Sequence, residues 1–148
     1  MIPTEIILHH SATNDSGTVS WNAIRRYHRD ECNWGDIGYH FGIEFISDPG
    51  SPAGSYEVLL GRLPFEVGAH CKDHNGRAIG ICFVGNFDEA PPPEAMWNQG
   101  VRLVKWLCFE LAIPVRYIFG HRDFANKTCP GTQFDIEKFK ADVEAYDL

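Results

Sequence analysis

Histidine and cysteine are the side chains that most readily hold a transition metal near neutral pH, and histidine also moves protons there. The sequence has seven histidines and five cysteines. The most informative stretch is Gly120-His121-Arg122-Asp123-Phe124-Ala125-Asn126-Lys127-Thr128-Cys129-Pro130-Gly131, with an imidazole and a thiol on one segment and a lysine two residues before the thiol. A thiolate and an imidazole are good zinc ligands, and a third protein donor would leave one position of the tetrahedron open for reaction. On this segment alone the spacing is not that of a zinc finger, and a surface histidine beside a buried cysteine is the better account. His9 and His10 offer a further donor. Neighbours on a strand point to opposite faces, so only one of the two can reach a shared ion, and the alternation does not say which.

These side chains need a frame to bring them together. Glu5 to His9 reads as a short buried strand, and Ser20 to Arg29 as a helix with Trp21, Ile24, Tyr27 and His28 at helical spacing and Thr18 or Ser20 as its cap. Gly38 to Ile46 alternates as a strand, with Phe41, Ile43 and Phe45 on one face. The turn cluster Asp48-Pro49-Gly50-Ser51-Pro52 separates it from a partner strand at Tyr56 to Leu60. Ile79 to Val84 is apolar almost throughout, as a central strand buried on both faces would be. Pro91-Pro92-Pro93 precedes the longest helix, Glu94 to Leu111, whose stripe is Trp97, Val101, Val104, Cys108 and Leu111. Val115 to Phe119 reads as another strand, and Ile136, Phe139, Val143 and Tyr146 mark a closing helix. Strands that interleave with helices predict an α/β fold, a central mixed sheet covered by helices on both faces, and sites where strands end in loops. His9 and His121 both fall at such ends.

At 148 residues, with no repeat, no low-complexity tract and no long linker, residues 1–148 are expected to form one domain. The formal net charge of −7 gives no support to general nucleic-acid binding or to an anionic membrane surface. No apolar stretch is long enough for membrane insertion, and the amino-terminal residues lack the basic and apolar regions of a signal peptide, so synthesis in the cytoplasm is expected. An odd number of widely spaced cysteines argues against a disulfide framework. Cys32, Cys71, Cys82 and Cys108 are expected to be small buried hydrophobes.

Four stretches together carry a resemblance. They are Leu8-His9-His10-Ser11-Ala12-Thr13; Ile37-Gly38-Tyr39-His40-Phe41; Gly68-Ala69-His70 with Asn75 and Ile79-Gly80; and the run from His121 to Cys129. In this order they resemble the phage-lysozyme type of N-acetylmuramoyl-L-alanine amidase, whose fold and motifs are shared with the peptidoglycan recognition proteins. The resemblance spans nearly the whole chain. It implies one catalytic zinc ion held by His9, His121 and Cys129, with Tyr39 and Lys127 as catalytic residues. It also implies a peptidoglycan-binding groove that takes in His70 and Asn75, with Asn33 as a further contact. The sequence between His70 and Asn75, Cys71-Lys72-Asp73-His74, departs from the smaller loops common in the family, which bears on the shape of the groove.

The implied reaction is hydrolysis of the amide between N-acetylmuramic acid and L-alanine in peptidoglycan. A non-catalytic peptidoglycan-binding module is the competing reading. In such relatives the metal-binding cysteine is typically replaced, whereas Cys129 is present here. A cytosolic wall-recycling amidase is the other alternative, and that branch usually carries an aspartate in place of Cys129. The expectation is therefore a monomeric phage endolysin that reaches the bacterial cell wall after holin-dependent release. Phage relatives also bind their phage RNA polymerase. The first strand begins here almost at Met1, without the amino-terminal arm of such relatives, so the resemblance lends that partner little support.

Overall fold

The computed structural model describes residues 1–14, 20–46 and 50–148. Thr18, one of the two expected caps, and Asp48 and Pro49 of the expected turn cluster lie outside the described residues. Five strands form one sheet: β1 (Glu5–His10), β2 (Phe41–Phe45), β3 (Tyr56–Leu60), β4 (Ala78–Phe83) and β5 (Ile118–Gly120). Their order across the sheet is β3-β2-β4-β1-β5. β1 runs parallel to both β4 and β5, β2 runs parallel to β4, and β2 and β3 are antiparallel. This is the mixed sheet expected from the interleaved pattern.

The apolar runs of β1 and β4 are buried at every position, because helices or loops cover both faces. On one face Ile6 and Leu8 of β1, Phe41 and Ile43 of β2, and Ile79, Ile81 and Phe83 of β4 pack under two helices. These are α2 (Glu94–Glu110), through Val101, Val104, Leu107 and Cys108, and α3 (Ile136–Ala145), through Ile136, Phe139 and Val143. Each fully buried aliphatic or aromatic side chain contributes about 1.5–3 kcal/mol, so this face supplies most of the stability. The opposite face is thinner. There α1 (Trp21–Asp30) buries only Trp21, which lies flat on β2 where a Cβ on Gly42 would come within 2.4 Å of its ring. Tyr27, expected on the inward stripe, is 60% exposed. Beyond its first turn the helix meets the sheet side through polar groups, Arg25 donating to the Leu60 carbonyl at 3.1 Å and His28 accepting from the Gly38 amide, while Tyr27 faces outward.

The expected strand Val115–Phe119 is a correction. Val115–Tyr117 forms a 3₁₀ turn, closed by the Tyr117 amide donating to the Pro114 carbonyl, and only Ile118–Gly120 pairs with β1. Proline at the turn's start fixes φ and favours the tight bend over an extended run.

The parallel strands fix where the site lies. His9 is the penultimate residue of β1, and His121 follows the last residue of β5, so both stand at the carboxyl ends of neighbouring strands. The face of His9 is that of Ile7, under the thin layer, while His10 points the other way and accepts a hydrogen bond from the Phe87 amide at 3.1 Å.

Candidate active site

The loop after β5 carries His121, Lys127 and Cys129, and it is held by its own side chains. The Arg122 amide donates to the Cys129 carbonyl at 2.7 Å. The Arg122 guanidinium donates to the carbonyls of Gly131 and Phe134 at 2.6 and 2.9 Å, and Asp123 accepts from the Gly120 amide at 2.8 Å. Arg122 and Asp123 therefore shape the loop. Asp88 pins the same loop from outside, accepting from the Thr128 hydroxyl and the Thr132 amide, each at 2.8 Å.

The fold brings His9, His121 and Cys129 together, with one donor atom from each within 4.8 Å of the others. His9 Nδ1 stands 3.7 Å from Cys129 Sγ, and the rings of His9 and His121 lie 4.6 Å apart. Donors on one tetrahedral zinc, with bonds of about 2.0–2.3 Å, stand roughly 3.3–3.8 Å from one another. One pair, at 3.7 Å, already meets that spacing, and the other two pairs lie within 4.8 Å. The chemistry of the donors fits as well. Burial first, then His70, His121 and Lys127, hold His9 well below the ordinary histidine range, and burial with Lys127 lowers His121, so both rings are neutral with a lone pair to offer. Burial pushes the Cys129 thiol up to about 11, against the opposing pull of the His10 carbonyl contact and Lys127. Such a thiol gives up its proton when a metal takes its place.

Two cavities meet over this cluster. One, of about 530 Å³, is lined by His9, His28, Trp34, Tyr39, His70, Asp88, His121, Lys127 and Cys129 among others. The second, of about 480 Å³, shares Trp34, Ala69, His70, His121 and Lys127 with it and extends past Lys72, Asp73, Asn75 and Phe124. Together they make an open groove with the donor cluster in its floor. In a chain of net charge −7, Lys72 and Lys127 place two cations along this groove.

Tyr39 lies with its ring 5.1 Å from that of His9, and its hydroxyl lies near the Cys82 thiol. Burial, with the thiols of Cys82 and Cys129 beside it, raises Tyr39 well above the usual phenol range, so the hydroxyl keeps its proton. Lys127 lines both cavities beside the donors. His70 lies in the floor with both ring nitrogens engaged, Nδ1 with His9 Nε2 at 3.0 Å and Nε2 with the Ala78 carbonyl at 3.2 Å. Asn75 lines the second cavity, and its side-chain oxygen accepts from the amides of His70 and Cys71 at 2.7 and 2.9 Å. Asn33, at φ +55°, is exposed between Cys32 and Trp34, which line the groove while Asn33 does not.

Two groove residues, His28 and Asp88, carried no role in the sequence, and a third, Trp34, stood evenly between an aromatic that covers sugar rings and a packed side chain. His28 accepts from the Gly38 amide through Nδ1 at 3.0 Å and packs its ring 4.7 Å from Trp34, yet its helical spacing reads as core. Asp88 sits in an ordinary turn sequence, and nothing local marks it. Trp34, before the Gly35-Asp36 turn, is 37% exposed and lines both cavities.

An α/β sheet with a buried His-His-Cys donor set at the carboxyl ends of its parallel strands, open to a groove, is the arrangement that a metal-dependent hydrolase would use, and these three donors could hold one metal ion. The comparisons with known proteins agree. The family model for N-acetylmuramoyl-L-alanine amidase matches residues 1–132, and the chain belongs to that family of amidase enzymes. It is 32% identical over 139 residues to an endolysin of Enterobacteria phage K11, covering 92% of this chain and 84% of the relative. It is 33% identical over 141 residues to the endolysin of Escherichia phage T7, covering 90% and 83%. Among solved structures, the endolysine N-acetylmuramoyl-L-alanine amidase LysCS from Clostridium intestinale superposes with a TM-score of 0.80 at 27% identity, covering 99% of this chain and 86% of that one.

Proposed function

We propose that this chain is a phage endolysin that hydrolyses the amide between the lactyl group of N-acetylmuramic acid and L-alanine in peptidoglycan, with zinc held by His9, His121 and Cys129. The convergence of those three donors from two strand ends and one loop, at the floor of a groove, carries this reading. Similarity to phage endolysins over more than four fifths of their length supports the lytic role. Release through a holin would bring the enzyme to the wall. Among the described residues, no helix is long and apolar enough to cross a membrane.

Amides resist water because water is a weak nucleophile and the tetrahedral intermediate carries charge. A zinc ion in a site with one open position supplies Lewis acidity and brings the pKa of water to about 7. The protein's own groups do the rest. Lys127 presents its ammonium to the oxygen on which negative charge develops, an interaction worth roughly 3 kcal/mol in comparable sites. Tyr39, protonated and fixed beside His9, orients the attacking water through its hydroxyl and relays that water's proton to the leaving amine, so that the phenol ends the step protonated. The paired cavities give the substrate room on both sides of the scissile bond, with Trp34 and Asn75 along the groove. The exposed Asn33 reaches substrate only where the glycan extends over the rim.

Mass spectrometry of purified sacculi incubated with the protein tests the reading. New amino-terminal L-alanine on intact glycan strands, lost with a chelator and restored by zinc, is the expected result. Cleavage of glycan or of peptide cross-links would place the reaction at another bond. Zinc binding without any product would mark a peptidoglycan-binding module instead.

A further inference from the structure

The floor of the groove holds a chain of hydrogen bonds whose proton positions follow from chemistry alone. The Ala78 carbonyl is only an acceptor, so His70 Nε2, at 3.2 Å, carries a proton and donates to it. A neutral imidazole has one N–H, so His70 Nδ1 is bare. His70 Nδ1 lies 3.0 Å from His9 Nε2, and that contact is a hydrogen bond only if His9 Nε2 donates. His9 Nδ1 then has no proton, and this is the atom 3.7 Å from Cys129 Sγ. We propose that His70 is a positioning residue which fixes His9 in its Nε2–H tautomer and so presents the Nδ1 lone pair to the metal.

The surroundings are built to hold the His70 ring. Ala78 belongs to β4 and pairs in register with Glu5 of β1, so the carbonyl that anchors the relay is fixed by the sheet. A Cβ at Gly80 would fall 2.5 Å from the His70 ring, and one at Gly68 would fall 2.6 Å from it, so both glycines clear its slot. His40 closes the slot, accepting from the Gly80 amide and bonding the Glu66 carbonyl, each at 3.0 Å. Asn75 holds the backbone of His70 from below, through its amide. A side chain fixed on every side and spent at both ring nitrogens has no polar atom left for substrate. Its influence on the reaction passes through His9.

The proposal rests on the metal reading for its purpose but not for its measurement. Long-range ¹H–¹⁵N correlation spectra of the metal-free protein report the tautomer of each histidine directly. His9 is expected as Nε2–H in the wild type. His70→Phe, which keeps a ring but removes the acceptor, is expected to let the Nδ1–H form appear and to weaken zinc binding 10–100-fold in competition with a chromophoric chelator. His70→Asn sets an amide oxygen near the former Nδ1 and is expected to recover most of the affinity. An Nδ1–H tautomer in the wild type overturns the proposal, and so does a folded His70→Phe that binds zinc as tightly as the wild type. Correct tautomers in a wild type that binds no zinc would instead overturn the metal reading and leave the relay standing.

Discussion

Lys127 and Cys129 are two residues apart, and the site asks opposite things of them. Cys129 is buried, its proton held by burial, and under the proposed function its use is as a metal donor. Lys127 lines the open groove, and in the proposed mechanism it acts only on charge that appears during reaction. Substitution should separate the two roles. Cys129→Ser is expected to lose zinc and activity together, because an alcohol replaces a thiolate in the donor set. Lys127→Ala is expected to bind zinc as the wild type does and to lose about 10²–10³-fold in kcat. Zinc content by elemental analysis, beside kcat on sacculi, reads both, and an unchanged rate in Lys127→Ala would remove its oxyanion role. At this scale much was legible. Two histidines and a cysteine at separate places in the chain read as a donor set once the four motifs were seen in order, and alternation required that only one of His9 and His10 could belong to it. His28 and Asp88 were not legible, because each acts through a neighbour that sequence spacing does not reveal. His70 presents the same difficulty in stronger form. Its partnership with His9 depends on the register of β1 against β4, which only the folded sheet fixes.

The element that matters most is the loop from Gly120 to Phe134. It has little regular structure, and Arg122 stands in for it by donating to two carbonyls, Gly131 and Phe134. Hydrogen bonds from a charged donor contribute about 1.5–3 kcal/mol each. Arg122 is only half-buried, so water replaces part of each bond, and Arg122→Ala is expected to lower stability by about 2–4 kcal/mol, below the sum of two such bonds, read as a shift in the urea midpoint, while the hydrogen bond from the residue 122 amide to the Cys129 carbonyl survives. Zinc affinity should fall less than stability does. A midpoint equal to that of the wild type would mean that the loop is held by Asp88 and packing alone. The strands and the two long helices followed from periodicity to within a residue or two at most ends. β5 did not, because its pairing is only three residues long and the preceding proline turn looks equally extended in a pattern of apolar residues.

Across the whole molecule, the groove floor gathers buried histidines that must stay neutral. His40 and His70 are both lowered first by burial, His70 to about 3, whereas in the unfolded chain each titrates near 6.5. The unfolded state therefore takes up protons first. Stability is complete above pH 6.5 and declines as pH falls, by up to about 1.4 kcal/mol per pH unit for each such residue, down toward the folded value. Urea midpoints of the metal-free protein at pH 7.5, 6 and 5 should fall in that order, and a flat series would contradict the burial of neutral rings. The sheet topology has another consequence, in time. His9 and Cys129 are 120 residues apart in sequence, and β1 meets β5 only after nearly all of the chain between them exists. A ribosome making this protein thus carries an unarmed intermediate for most of synthesis, since any fragment ending before Cys129 has at most two of the three donors.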